Sequence, residues 1–112
     1  MFALLMGLKS ISCQELHQRM QAGPVTVVDL NGPQSWSRAH VPGAINLGVD
    51  FDPAALPPDR GAPLVFYCSN PLCRKAPQAA KRAVKLGYSD ARVMSAGIAG
   101  WTSARLPVQA GD

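Results

Sequence analysis

Histidine is scarce in this chain, with two residues, and cysteine nearly so, with three at positions 13, 68 and 73. An odd number of cysteines without framework spacing argues against a disulfide-stapled secreted domain. It suits a reducing compartment, so a cytoplasmic location and thiol chemistry are expected. Cys68 and Cys73 have no second ligand pair at finger-like spacing, which argues against structural zinc, and no organic cofactor is implied. No stretch approaches the roughly 18 consecutive apolar residues of a membrane-spanning helix. The apolar opening Met1-Phe2-Ala3-Leu4-Leu5-Met6 has no basic residue before it and is short for a signal-peptide core with its flanks. We read it as a segment packing on the domain edge. Charge is sparse as well: 16% of residues are charged, for a net +4 that is dispersed along the chain. That pattern disfavours nucleic acid and membrane partners and favours a small anionic one.

What is present is apolar substance: 47% hydrophobic residues in 112, enough for one globular domain over residues 1–112. Ser12 and Glu15 form an S-x-x-E capping box, so Cys13 to Ala22 is expected to be helical, stopped at Gly23. Cys13 then falls in the first turn, in a packing role. Val25 to Leu30 lacks polar alternation and is expected to be a central parallel strand. Asp29 interrupts it at the carboxyl end, the functional edge of an open α/β sheet, where it is expected to tie down a loop. Gln34 to Ala39 reads as a short helix anchored by Trp36. A Pro42-Gly43 turn then leads into a short strand. Asp50 to Arg60 reads as a surface connection with one helical turn near Pro53–Leu56. Ala91 to Met94 is a further strand, Ser95 to Trp101 turns into a last helix, and the tail beyond Val108 is expected to be loose. Strands alternating with helices imply a mostly parallel sheet of about five strands covered on both faces.

The chain is organised around residues 63–77. Leu64-Val65-Phe66-Tyr67 reads as a strand buried on both faces, bounded by Pro63. A compact loop runs from Cys68 to Cys73, and Gln78 to Leu86 reads as a helix closed by Gly87. A cysteine at a strand end, a tight loop and a helix N-terminus favour thiolate over thiol at Cys68. Loop N–H groups, with Ser69, Asn70 and Leu72 as the candidates, are placed to hold an anion there. Arg74 and Lys75 lie at a helix start, where the dipole disfavours cations, which points to an anion nearby.

These residues resemble the rhodanese (sulfurtransferase) family along nearly the whole chain. Ile11 to Leu16 resembles the family's opening strand and helix. Val28-Asp29-Leu30, then Trp36, His40 and Val41-Pro42-Gly43-Ala44, resembles its D-V-R … G-H-I-P-G-A signature. Phe66-Tyr67-Cys68 with its loop and Ala-rich helix resembles the active-site segment. Met94 to Trp101 followed by Leu106-Pro107-Val108 resembles the closing segment. Asn31, Ala39 and Ala96 depart from the family pattern without threatening the fold. The active loop departs more: family members usually have cysteine, four residues, then arginine, with a glycine inside. Here five residues separate Cys68 from Arg74, and the loop holds Pro71 and no glycine.

The resemblance implies an α/β rhodanese-like fold and a sulfurtransferase. Cys68 would take a sulfane sulfur from thiosulfate or a persulfide, and then pass it to cyanide or to a small or protein thiol. Arg74, and next Lys75, would hold the anionic part of the donor. Cys73 is either a second thiol that resolves a persulfide or sulfenate on Cys68, or a small helix-start residue; spacing alone leaves this open. The resemblance places His40 in the Pro-Gly turn, in a structural role. Two alternatives stand beside this. The longer loop has the cysteine–arginine spacing of phosphatases and arsenate reductases that share the fold, although Tyr67 stands where phosphatases have histidine. Rhodanese-like domains also serve as binding modules or sulfur relays.

Overall fold

The computed structural model describes residues 8–111; the apolar segment Met1–Met6, expected to pack on the domain edge, lies outside them. In chain order the elements are β1 (Lys9–Ser10), α1 (Cys13–Ala22), β2 (Thr26–Asp29), α2 (Pro33–Arg38), β3 (Ile45–Asn46), a 3-10 turn (Pro53–Ala55), β4 (Leu64–Tyr67), α3 (Lys75–Lys85), β5 (Ala91–Val93) and α4 (Gly97–Ser103). The five strands form one sheet in the order β1-β5-β4-β2-β3, and every pairing is parallel.

Side-chain alternation along the two central strands builds two cores. Val28, Leu64 and Phe66 face α3, whose buried stripe is Ala76, Ala79, Ala80 and Ala83. Small side chains let that helix lie close to the sheet. Val27, Val65 and Tyr67 face the other way and pack with Leu16 of α1, Met94 and Trp101 of α4. Both faces are therefore covered, which is why β2 and β4 show no polar alternation.

Local chemistry sets most element ends. The Ser12 hydroxyl accepts from the Glu15 N–H at 3.0 Å and the Glu15 carboxylate accepts from the Ser12 N–H at 3.1 Å, completing the capping box of α1. Residues 41–44 make a turn closed by the Ala44 N–H on the Val41 carbonyl at 2.9 Å, with Gly43 at φ +79°. Proline at the second position and a left-handed glycine at the third are what a type II turn requires.

Two expectations are corrected. α3 starts at Lys75, three residues before the Gln78 start expected from the apolar pattern. Pro77 is no obstacle, because first-turn N–H groups have no helical partner to lose. The tail is not loose either. Gln109 exchanges two backbone hydrogen bonds of 2.9 Å with His40, and Gly111 donates to the Ser37 carbonyl at 2.6 Å. The Gln109 side chain also accepts from the Gly43 N–H at 2.7 Å. Backbone and amide bonds of this kind leave no apolar trace in the sequence.

Candidate active site

The sheet order creates a crevice. From β2 the chain passes to β3 on one side, then crosses back to β4 on the other. Ligands of open α/β folds sit at such a reversal, outside the carboxyl ends of the strands. Asp29 ends β2 and pairs in register with Tyr67, which ends β4, and Cys68 follows directly.

Below this edge lies a buried polar node. The Tyr67 hydroxyl donates to Asp29 Oδ2 at 2.5 Å and accepts from the Val41 N–H at 3.0 Å. The other carboxylate oxygen, Oδ1, accepts from the Asn31 N–H at 2.7 Å. Asp29 and Tyr67 are both fully buried. Burial pushes the Asp29 carboxyl up from its ordinary value, while the Tyr67 and Asn31 donors pull it down. Burial, together with the Asp29 carboxylate beside it, pushes the Tyr67 phenol far up, so it stays a donor. Asp29 thus ties the strand end to the following loop and, through Tyr67, to the Pro-Gly turn. His40 is buried in that turn, with Nδ1 2.7 Å from the Trp36 carbonyl and its ring stacked on Trp36 at 4.2 Å between centroids.

Above the node, the Cys68 sulfur is joined to that of Cys73 in a disulfide, with Cα atoms 6.4 Å apart. The loop between them is shaped by Asn70. Its side-chain oxygen accepts from the Leu72 N–H at 2.9 Å and its carbonyl accepts from the Cys73 N–H at 3.1 Å. This is the local turn chemistry for which asparagine is suited. In this disulfide form those two N–H groups face Asn70 and not an anion at the sulfur. Cys68 is 3% exposed, whereas Leu72, at 80%, projects into solvent.

The floor of the loop is clamped by α4. The Ile98 and Ala99 N–H groups donate to the Cys68 and Ser69 carbonyls at 2.9 and 3.0 Å. Gly97 makes this approach possible. It sits at φ +66°, and a Cβ there would lie 2.6 Å from the Ser69 carbonyl carbon and 2.7 Å from the Asn70 nitrogen. The close contact with the loop is a second demand on this glycine that its place in a turn motif did not reveal.

A small cavity beside the sulfurs is walled by Cys68, Asn70, Cys73, Pro77, Met94 and Ser95, among others. Ser95 Oγ is buried and has no hydrogen-bond partner among the described residues. Sequence reasoning passed over Ser95, because a serine in a turn carries no signal until its burial is known. Arg74 is the exposed N-cap residue of α3, and Lys75, also exposed, lines a different groove with Asn31, Asn46 and Asp50. Neither cation walls the sulfur cavity, nor do Ser69 and Leu72. The first turn of α3 holds no acidic residue, so the helix N-terminus beside Cys73 is electropositive. Cys13 lies apart in α1, buried, and burial pushes its thiol up. Among the described residues no cluster of three or more His, Cys, Asp or Glu side chains is placed to hold a metal ion. No helix among them is long and apolar enough to cross a membrane.

The model of the rhodanese-like domain family matches residues 12–104, and the chain belongs to that family. An HTH-type transcriptional regulator of Mycobacterium tuberculosis is 36% identical over 108 residues, covering 91% of this chain and 45% of the regulator. The chain thus spans about half the length of that relative. Among solved structures, the BH2092 protein of Bacillus halodurans superposes with a TM-score of 0.82 at 21% identity, over 91% of this chain and 77% of that one. A thiosulfate sulfurtransferase of Pseudomonas aeruginosa gives 0.81 at 24% identity, over 93% of this chain and 20% of that one. At these identities the two structures speak for the fold alone.

Proposed function

We propose that the domain is a sulfurtransferase that carries sulfane sulfur as a persulfide on Cys68. The observation that carries this reading is the setting of Cys68. It is a buried sulfur at the carboxyl end of the central strand β4, on a loop clamped by α4 and followed by a helix N-terminus. In the reduced form the thiolate attacks the outer sulfur of thiosulfate or of a persulfide, and sulfite or a thiolate leaves. The electropositive start of α3, with Arg74 and Lys75 at its rim, draws the small anionic donor. A thiol or cyanide then accepts the sulfur. The thiosulfate sulfurtransferase among the structural relatives is consistent with this chemistry. The test is sulfite release from thiosulfate by the reduced protein. The wild type releases sulfite and Cys68→Ala releases none; equal release from both would refute the assignment.

A second reading is favoured by one observation, the transcriptional regulator among the relatives. In it, the domain is a module whose sulfur state is read by a protein partner. Sulfite release too slow for turnover, together with a partner that binds only one sulfur state of Cys68, would select this reading.

A further inference from the structure

We propose that Cys73 resolves the Cys68 persulfide within the chain, so that the domain releases its sulfur as hydrosulfide and ends as the Cys68–Cys73 disulfide. The inference rests on the persulfide reading above and goes beyond it: the sulfane sulfur is reduced, and an external dithiol supplies the electrons.

The geometry points to this in three ways. The two sulfurs are bonded with a Cα separation of 6.4 Å, so the loop backbone brings Cys73 onto Cys68. That separation lies inside the range of roughly 4.4–6.8 Å found for ordinary disulfides. Asn70 holds the loop in the closing turn through the Leu72 and Cys73 N–H groups. Cys73 directly precedes the N-cap of α3, whose first turn has no acidic residue, a setting that favours a thiolate at Cys73. An attacker tethered through so short a loop has an effective concentration above that of external small thiols.

The steps balance. The Cys68 thiolate attacks the outer sulfur of thiosulfate, and sulfite leaves with the electron pair of the broken sulfur–sulfur bond. The Cys73 thiolate then attacks Cys68 Sγ. The bond from Sγ to the sulfane sulfur breaks, and hydrosulfide departs with its electron pair and a proton. Ser95 Oγ, buried in the wall of the same cavity without a partner among the described residues, offers a hydroxyl to that leaving group. In sum, one reduced chain and one thiosulfate give one oxidised chain, one sulfite and one hydrogen sulfide. The two thiols are oxidised to the disulfide and the sulfane sulfur is reduced to sulfide. A small-molecule or protein dithiol reopens the disulfide by attacking Cys73, a half-buried residue where Cys68 is buried, and ends as its own disulfide.

The test uses fully reduced protein, freed of reductant without oxygen and given one equivalent of thiosulfate. Sulfite, sulfide and intact mass are read together. The wild type is expected to yield one sulfite and one sulfide per chain and to end lighter by two hydrogens. Cys73→Ser and Cys73→Ala are expected to end heavier by one sulfur and to yield no sulfide. A wild type that releases sulfite but keeps the extra sulfur overturns the resolution step and leaves the persulfide reading standing. A wild type that releases no sulfite overturns the persulfide reading itself.

Discussion

Replacing Tyr67 by phenylalanine removes one oxygen from the node beneath the cysteine loop and nothing else. That oxygen donates to Asp29 Oδ2 at 2.5 Å and accepts from the Val41 N–H at 3.0 Å, and no water reaches the fully buried ring. The loss therefore has two parts. A buried backbone N–H left unpaired costs about 1–3 kcal/mol, and a hydrogen bond to a charged group contributes about 1.5–3 kcal/mol. Together they predict a loss of about 2.5–6 kcal/mol at neutral pH, a large share of the roughly 5–15 kcal/mol that holds a domain folded. The loss should depend on pH. Burial already raises the Asp29 carboxyl above its ordinary value, and the Tyr67 bond opposes that rise. A carboxyl with a raised folded-state value takes up a proton more readily folded than unfolded. Its ionisation therefore lowers stability as pH rises from the ordinary carboxylate range through the raised value. Without Tyr67's hydroxyl the Asp29 value rises further, and this penalty grows. As pH falls into the ordinary carboxylate range, below the raised Asp29 value, protonation relieves the charge and the difference between variant and wild type should shrink to about 2 kcal/mol. Urea unfolding of both proteins at the two pH values measures this. A loss below about 1 kcal/mol, or one equal at both pH values, would refute the account of the node.

Further outcomes follow from other contacts. Gly97→Ala puts a Cβ 2.6 Å from the Ser69 carbonyl carbon at a left-handed φ; it should cost about 2–4 kcal/mol and slow sulfite release from thiosulfate, both read on the purified variant. Ser12→Ala removes the hydroxyl half of the α1 capping box and should lower thermal stability by about 1 kcal/mol. Bonds from Ser12 hold the exposed Glu15 carboxyl below its ordinary value. Its contribution is therefore present above the ordinary carboxylate range and lost as pH falls through the depressed value, and Glu15→Gln should remove that part of the acid limb. Cys13, buried and with its thiol pushed up, should resist alkylation in the native protein and react once urea unfolds it, as peptide mass mapping would show.

The parts of the fold legible in the sequence are those that local chemistry decides. The Ser12–Glu15 box and Gly23 bound α1 residue for residue, and the stretches 25–30 and 64–67, which lack polar alternation, mark the two central strands. α3 starts at Lys75 and not at the Gln78 expected from the apolar pattern, because a proline in the first turn displaces no helical bond. The tail was misread because backbone bonds to His40 and Ser37 hold it, not an apolar pattern. In the candidate site, the place of Cys68 at the end of a buried strand could be read directly. The pairing with Cys73 could not, because it depends on the loop path that Asn70 imposes. Ser95 and the second role of Gly97 were invisible for the same reason: each depends on which distant segment packs against it.

The central claim is that Cys68 bears the sulfur. Its most direct test is to load reduced Cys73→Ser protein with thiosulfate, alkylate it under denaturing conditions and locate the additional sulfur by peptide mass spectrometry. The account predicts one extra sulfur on the peptide holding Cys68, removable by cyanide. Sulfur on the Cys13 peptide, or on neither, would contradict it.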